Sequence, residues 1–312
     1  MGGSGVFDLA PDDLDSSDVA NTFARIIRVR KDLGILGLKY RLFLTPEKKS
    51  YWQTTLGGSI ERENYREDTL TSENVRNTVL TNNLENINAT LSSFVNFGFN
   101  FNHTLRLGVV ETFTYTNSRL QDQLFNQGFR DYNGGTLLSQ VYAQYLVRFS
   151  KKFRINVGVN AQHFLLNNTI GVGPRFAMSW QPLTSHKFSL GYGWHHQTQP
   201  LMLYFNEKED ANGVLQPVNR NLGFTQAHHL IGAYDWAIAD NWRLKLEGYY
   251  QLYTNVPITT YSSTFSGINM GQELELLYLV DLVNEGFARN YGAEIGKRRV
   301  GKECRSRWSP YH

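Results

Sequence analysis

Residues 153–161 read F-R-I-N-V-G-V-N-A, which in an extended chain puts Phe153, Ile155, Val157, Val159 and Ala161 on one face and Arg154, Asn156, Gly158 and Asn160 on the other. A strand with one apolar and one polar face either covers a soluble core or lines a membrane barrel. The same two-residue beat returns at about 89–101, 104–116, 137–149, 153–165, 171–181, 187–197, 227–238 and 242–253, and again at 34–44 and 51–61. Tyr291 to Ile295 reads as the start of an eleventh strand.

The connections alternate in length. Asn102–His103, Ser150–Lys152, Pro182–His186 and Ala239–Asn241 are tight, whereas 62–88, 117–136, 198–226 and 254–289 run to about 20 residues or more, with 166–170 the short exception. Connections that long are unusual in compact soluble domains. Short turns at one end and long loops at the other are the pattern of outer-membrane barrels.

The aromatic residues, 13% of the chain, follow the same polarity. Phe101, Phe149, Phe153, Trp180, Phe188, Trp236 and Trp242 fall on apolar faces close to the short turns. Phe113, Tyr115, Trp194 and Tyr250, with Leu252, fall on the same faces about ten residues further along, the length of tilted strand that crosses a hydrocarbon core. The opposite faces carry Gln140, Gln144 and Arg148, then Arg154, Asn156, Asn160 and Gln162, then Arg243, Lys245, Glu247 and Gln251. A wide aqueous or plugged lumen satisfies such side chains without special pairing. The fold class read from these patterns is all-β, an antiparallel transmembrane β-barrel segment. A soluble β-sandwich or solenoid leaves both aromatic belts and the loop asymmetry unexplained.

Composition agrees. Only 19% of the 312 residues are charged, 8 are Pro, and no apolar run is long enough for a transmembrane helix. The one cysteine, Cys304, excludes a disulfide framework and a thiolate metal site. The net charge of +3 belongs to residues 297–312, which carry six basic side chains and one acid, net +5, leaving −2 for residues 1–296. That distribution gives the body of the protein no nucleic-acid footprint. The opening M-G-G-S-G-V-F-D has neither a basic n-region nor an apolar h-region, so residues 1–33 stay unassigned and a surface protein of this kind is expected to have a longer N-terminus.

Candidate chemistry is sparse, and the chain reads as a non-enzyme with no catalytic residue and no cofactor. Among eight histidines are two adjacent pairs, His195-His196 and His228-His229, at the loop ends of two strands. Alternation turns His195 and His229 inward, where they are the candidate substrate-contacting residues. A metal site would need a third or fourth ligand, and none stands at a suitable spacing. Glu207, Glu209 and Asp210 read as a solvated loop face, and no G-x-S-x-G, P-loop, GxGxxG or H-E-x-x-H pattern is present. Gly57-Gly58 and Gly134-Gly135 lack the following helix that a phosphate cradle needs, and Leu274 to Val283 reads as loop packing.

N-R-N-L-G-F-T-Q-A-H-H-L-I-G-A-Y-D-W (219–236) and N-W-R-L-K-L-E-G-Y-Y-Q (241–251), with G-P-R-F-A-M-S-W (173–180), S-L-G-Y-G-W-H (189–195), N-V-P (255–257) and N-Y-G-A-E (290–294), resemble the TonB-dependent receptors of bacterial outer membranes. The resemblance covers about 34–295, and Thr225 stands where the family often has an acid. It implies a 22-stranded barrel in the Gram-negative outer membrane, plugged by an N-terminal domain. Such a barrel imports a scarce large solute such as an iron chelate, cobalamin, a glycan or a peptide, driven by the TonB complex. About 10–11 of those strands are expected here, in a barrel region spanning 34–296, without plug, TonB motif or closing strand. The tail from 297 reads as an interrupted or frame-shifted end, with an anion-binding tail as the rival. A passive porin-like or adhesin-like barrel and a secreted soluble glycan-binding β protein are the other function classes.

Overall fold

The alternating stretches all become strands, joined into one sheet. The structure, a computed structural model, describes residues 25–45, 47, 49–70, 76–122, 128–239, 242–263, 265–268 and 279–299. Its strands are β1 (Arg25–Phe43), β2 (Tyr51–Leu70), β3 (Arg76–Gly98), β4 (His103–Asp122), β5 (Gly128–Arg148), β6 (Phe153–Phe164), β7 (Thr169–Leu183) and β8 (His186–Gln197). After these come the short helix α1 (Leu201–Tyr204), the small strands β9 (Glu207–Glu209) and β10 (Leu215–Pro217), and the long strands β11 (Thr225–Ala239), β12 (Trp242–Thr259) and β13 (Leu282–Arg299). The eleven long strands form a single sheet in the order β1-β2-β3-β4-β5-β6-β7-β8-β11-β12-β13, while β9 and β10 pair only with each other. Each neighbouring pair in the large sheet is antiparallel.

Register holds the two faces apart across the sheet. On the apolar face Phe153 pairs with Trp180, Trp180 with Phe188, Phe188 with Tyr234, Tyr234 with Leu246 and Leu246 with Ile295. One residue along, Arg154, Ser179, Ser189, Ala233, Glu247 and Glu294 form the matching row of the polar face. The apolar face is the one left uncovered: Leu38, Leu56, Leu107, Val141, Val157, Val172 and Leu230 are all exposed. A water-soluble sandwich buries that face against a second layer, and among the described residues no second layer lies on it.

At the short-turn end the apolar face carries a continuous aromatic belt. Phe149 stacks on Phe153 at 5.5 Å, Phe188 on Tyr234 at 4.9 Å and His186 on Trp236 at 5.7 Å, and Trp180 meets Phe188 at a tilt at 5.6 Å. Toward the other end the same face changes character abruptly. Asp32 pairs in register with Arg62 and Arg62 with Glu85, and the Arg62 guanidinium meets the Glu85 carboxylate at 2.6 Å. Phe113 and Tyr250, both exposed, stand on the apolar face near that boundary.

Two long connections expected from the sequence are largely strand. β2 continues to Leu70 and β3 begins at Arg76, while β4 runs to Asp122 and β5 starts at Gly128, with 71–75 and 123–127 outside the described residues. The extensions lose alternation because both of their faces are polar. They hold together by cross-strand pairs instead, as where Lys31 bridges Glu61 and Glu63 at 2.9 Å each. Asp68, fully buried there, receives Arg28 at 3.1 Å, Arg66 at 2.8 Å and Thr78 at 2.9 Å. Burial raises its pKa, but the Arg66 and Thr78 hydrogen bonds outweigh this and hold the carboxyl below its ordinary value. The eleventh strand is likewise longer than its visible start, spanning Leu282–Arg299 and entering the basic tail, where Trp242 pairs with Arg299. Residues 274–278 lie outside the described residues, and Leu282 and Val283 belong to β13.

Candidate functional site: a loop-covered polar face

The chain's main buried apolar cluster lies on the polar side of the sheet. Phe164 and Leu138 end up on that face by the alternation of β6 and β5, and apolar groups there need cover. The connection 198–224 supplies it: Leu203, Tyr204, Leu222 and Phe224 close over Phe164 together with Leu282. Further across, Met202 of α1 packs on Leu84 of β3 and Tyr132 of β5, with Phe205 beside it. A single connection thus reaches from the end of β8 across the face to β3.

Tyr204 is the anchor. It is fully buried, its ring lies 5.1 Å from that of Phe164, its hydroxyl accepts from the Gln199 backbone N–H at 3.1 Å, and burial pushes the phenol up to about 12. Two asparagines then tie this connection to the one before β13. Asn206 and Asn219 both donate to the Leu279 carbonyl, at 2.8 Å and 2.6 Å, Tyr132 donates to Asn206 Oδ1 at 2.9 Å, and Leu282 N–H donates to Asn219 Oδ1 at 3.1 Å. Beneath the cover, Ser118 donates to Asn82, Thr116 to Asn86 and Thr114 to Asn88 at 2.6–3.0 Å, so the side-chain carbonyls of these three asparagines are satisfied across β3 and β4.

Phe205 sits where β5 has no side chain, since a Cβ on Gly134 would stand 2.5 Å from its ring Cζ. Gly134→Val is expected to cost about 1–3 kcal/mol of loop docking. The readout is faster proteolytic cleavage within 198–224, with Gly232→Ala, where nothing lies within 4 Å, as the silent control.

Beside this cover the histidine pairs divide between the two faces. His228 is on the apolar face, stacked 5.0 Å from Trp194 with Nδ1 3.0 Å from the Tyr192 hydroxyl. His195 and His229 are on the polar face, diagonal across the β8–β11 register, where His195 pairs with Ala227 and His229 with Gly193. Their ring centroids are 5.0 Å apart, and Tyr253 approaches His229 edge-on at 6.1 Å. Gly193 also pairs with Arg175 of β7, which brings a guanidinium into the same neighbourhood. His229 Nε2 is buried and without a hydrogen-bond partner. No third metal-ligating side chain joins the pair among the described residues. The group offers imidazole, guanidinium and phenol to a ligand, and none of its members is arranged as a nucleophile with a base.

Glu207 and Glu209 lie on exposed β9, and the Asp210 carboxylate caps its turn by accepting from Asn212 N–H at 2.8 Å and Val214 N–H at 3.0 Å. The sequence signal for the cover is the apolar run Leu201–Phe205 ahead of the polar stretch 206–213, which alternation alone passes over.

A family profile described as "TonB dependent receptor-like, beta-barrel" matches residues 3–309. No curated protein matches the chain. Among solved structures, the chain is similar to the siderophore receptor PirA from Acinetobacter baumannii at 10% identity and TM-score 0.55, covering 95% of this chain and 54% of that one. It is also similar to the ferric-catecholate import receptor Fiu from Escherichia coli K12, at 11% identity and TM-score 0.58, covering 88% and 45%, and to the copper transporter OprC at 10% and 0.54, covering 88% and 51%. The chain spans about half the length of these neighbours or less.

Proposed function

Because the chain belongs to the TonB-dependent receptor-like β-barrel family, we propose that it is barrel wall of an outer-membrane receptor that takes up a scarce, large solute with energy from the TonB system. The exposed apolar face meets lipid, the polar face lines the lumen, and further strands complete a ring of 22. The reading rests chiefly on one observation: a long connection folds across the polar face and leaves His195, His229, Arg175 and Tyr253 beside it. That arrangement suits capture of a solute arriving from the long-loop side. The neighbours' cargoes differ, with a ferric catecholate for Fiu and copper for OprC, so fold similarity does not choose the ligand.

The test is solute uptake by cells carrying the intact gene, using labelled ferric catecholate, cobalamin and peptide in parallel, with and without TonB. Uptake of one of them that vanishes without TonB is the expected result, and uptake that persists would identify a passive pore. His195→Ala together with His229→Ala is expected to weaken binding of that solute about tenfold, the loss of roughly one hydrogen bond to a charged group. Surface abundance is expected to stay unchanged.

A further inference from the structure

At the opposite end of the sheet from the histidines, the β5–β6 turn and the neighbouring strands enclose a cleft of about 320 Å³ whose ionisable lining consists of Arg148, Lys151, Lys152, Arg154 and Lys187. Among the described residues no carboxylate lines it. Arg148 and Arg154 are direct cross-strand partners, a like-charge juxtaposition that destabilises a sheet unless something compensates it. The compensation within the chain is slight. Arg148 donates to the Phe101 carbonyl at 3.1 Å and Lys152 to the Pro182 carbonyl at 2.7 Å, which are dipoles and not charges. Among the described residues the acid opposite Lys187 in register is Asp235, and its carboxylate is already engaged by both Nε and Nη2 of Arg243.

The cleft is also built to hold its shape. Ser150 Oγ accepts from the backbone N–H groups of Lys152 and Phe153 at 3.2 Å and 3.1 Å, which fixes the turn. Phe149 stacks on Phe153 of the lining, and the Arg148 guanidinium lies 5.9 Å from the centre of the Phe101 ring. Ser179, the register partner of Arg154, adds a hydroxyl to the lining. Two guanidinium forks, three ammonium groups and a hydroxyl around a small volume match a compact oxyanion of high charge density, and planar Arg forks suit phosphate oxygens in pairs.

We propose that this cleft is a phosphate-binding site at the short-turn mouth of the barrel wall. It takes either a free phosphate-bearing solute or the phosphate of a lipid headgroup at the adjoining membrane surface. The proposal is independent of which solute the receptor carries, since the site shares no residue with the histidine group.

The full chain, folded in zwitterionic detergent, is titrated with inorganic pyrophosphate by calorimetry, and separately reconstituted in phosphatidylcholine vesicles containing phosphatidylglycerol to measure retained lipid. Saturable pyrophosphate binding that falls steeply with salt identifies a free-solute site, and selective retention of phosphatidylglycerol without pyrophosphate binding identifies a headgroup site. Either supports the proposal if Arg154→Gln weakens the interaction about tenfold while Lys208→Gln, a charge loss in the long connection, leaves it unchanged. A readout on the unaltered chain guards against variants that fail to fold: pyrophosphate is expected to raise the unfolding temperature above that in sodium chloride of equal ionic strength. No such rise and no lipid selectivity, or binding equally strong in the Arg148→Gln/Arg154→Gln chain, overturns it.

Discussion

Val157→Arg is expected to destabilise the membrane-inserted protein by about 2–4 kcal/mol, whereas Asn156→Arg, one residue away on the same strand, is expected to cost close to nothing. Val157 is 44% exposed on the apolar face in mid-β6, in register with Tyr145 and Phe176 of the flanking strands. If that face meets hydrocarbon, a guanidinium there must be desolvated or must snorkel to an interface. Asn156 projects from the opposite, polar face of β6 between Leu146 and Ala177, where an added charge stays hydrated if the lumen is wet. The difference between the two variants is the informative quantity, because Val is a better strand former than Asn by at most about 1 kcal/mol, less than the effect expected from lipid. Urea unfolding in phospholipid vesicles measures it. Equal losses at 156 and 157 would remove the basis for placing lipid against the apolar face.

Tyr204→Ala is expected to release the covering connection without unfolding the sheet. Removing a fully buried aromatic side chain costs about 3–5 kcal/mol, and here that loss falls on the packing of 198–224 over Phe164. The strands beneath keep their backbone ladders. The opening equilibrium of the connection therefore shifts by about two to four orders of magnitude, which hydrogen exchange in Leu201–Asn206 would report, while the global unfolding midpoint moves little. Tyr204→Phe keeps the ring and loses only the acceptor for Gln199 N–H, an expected effect of about 1 kcal/mol. Unchanged exchange in Tyr204→Ala would mean that the cover is held by its asparagine clamps and not by its apolar anchor.

These two experiments address the most and least legible parts of the sequence. The alternation of 153–161 translates directly into β6 because the two faces of that strand meet unlike surroundings, and each residue's polarity reports its side. The segments 62–70, 76–88, 117–122 and 128–136 are equally strand, yet they read as loop. Their stability comes from ion pairs such as Arg62 with Glu85 and from amide–hydroxyl pairs such as Asn82 with Ser118, which carry no two-residue signature. The cover over the polar face was less accessible still. Asn206 and Asn219 meet Leu279 from 73 and 60 positions away, and nothing local in N-R-N-L announces that contact. For the histidines, parity along β8 and β11 assigns the faces, but the 5.0 Å approach of His195 to His229 and the buried, unpartnered Nε2 depend on the register between strands, which their separate sequences do not encode.

The strand count has a directional consequence. In a meander of eleven antiparallel strands the first and the last run the same way, so β1 and β13 are oriented alike. Bringing them together would create a parallel seam, and two copies of this sheet set side by side in one membrane orientation would create two. A wall that stays antiparallel all the way round can be completed from these edges only by an odd number of further strands, the outermost pair of which must both run against β1 and β13.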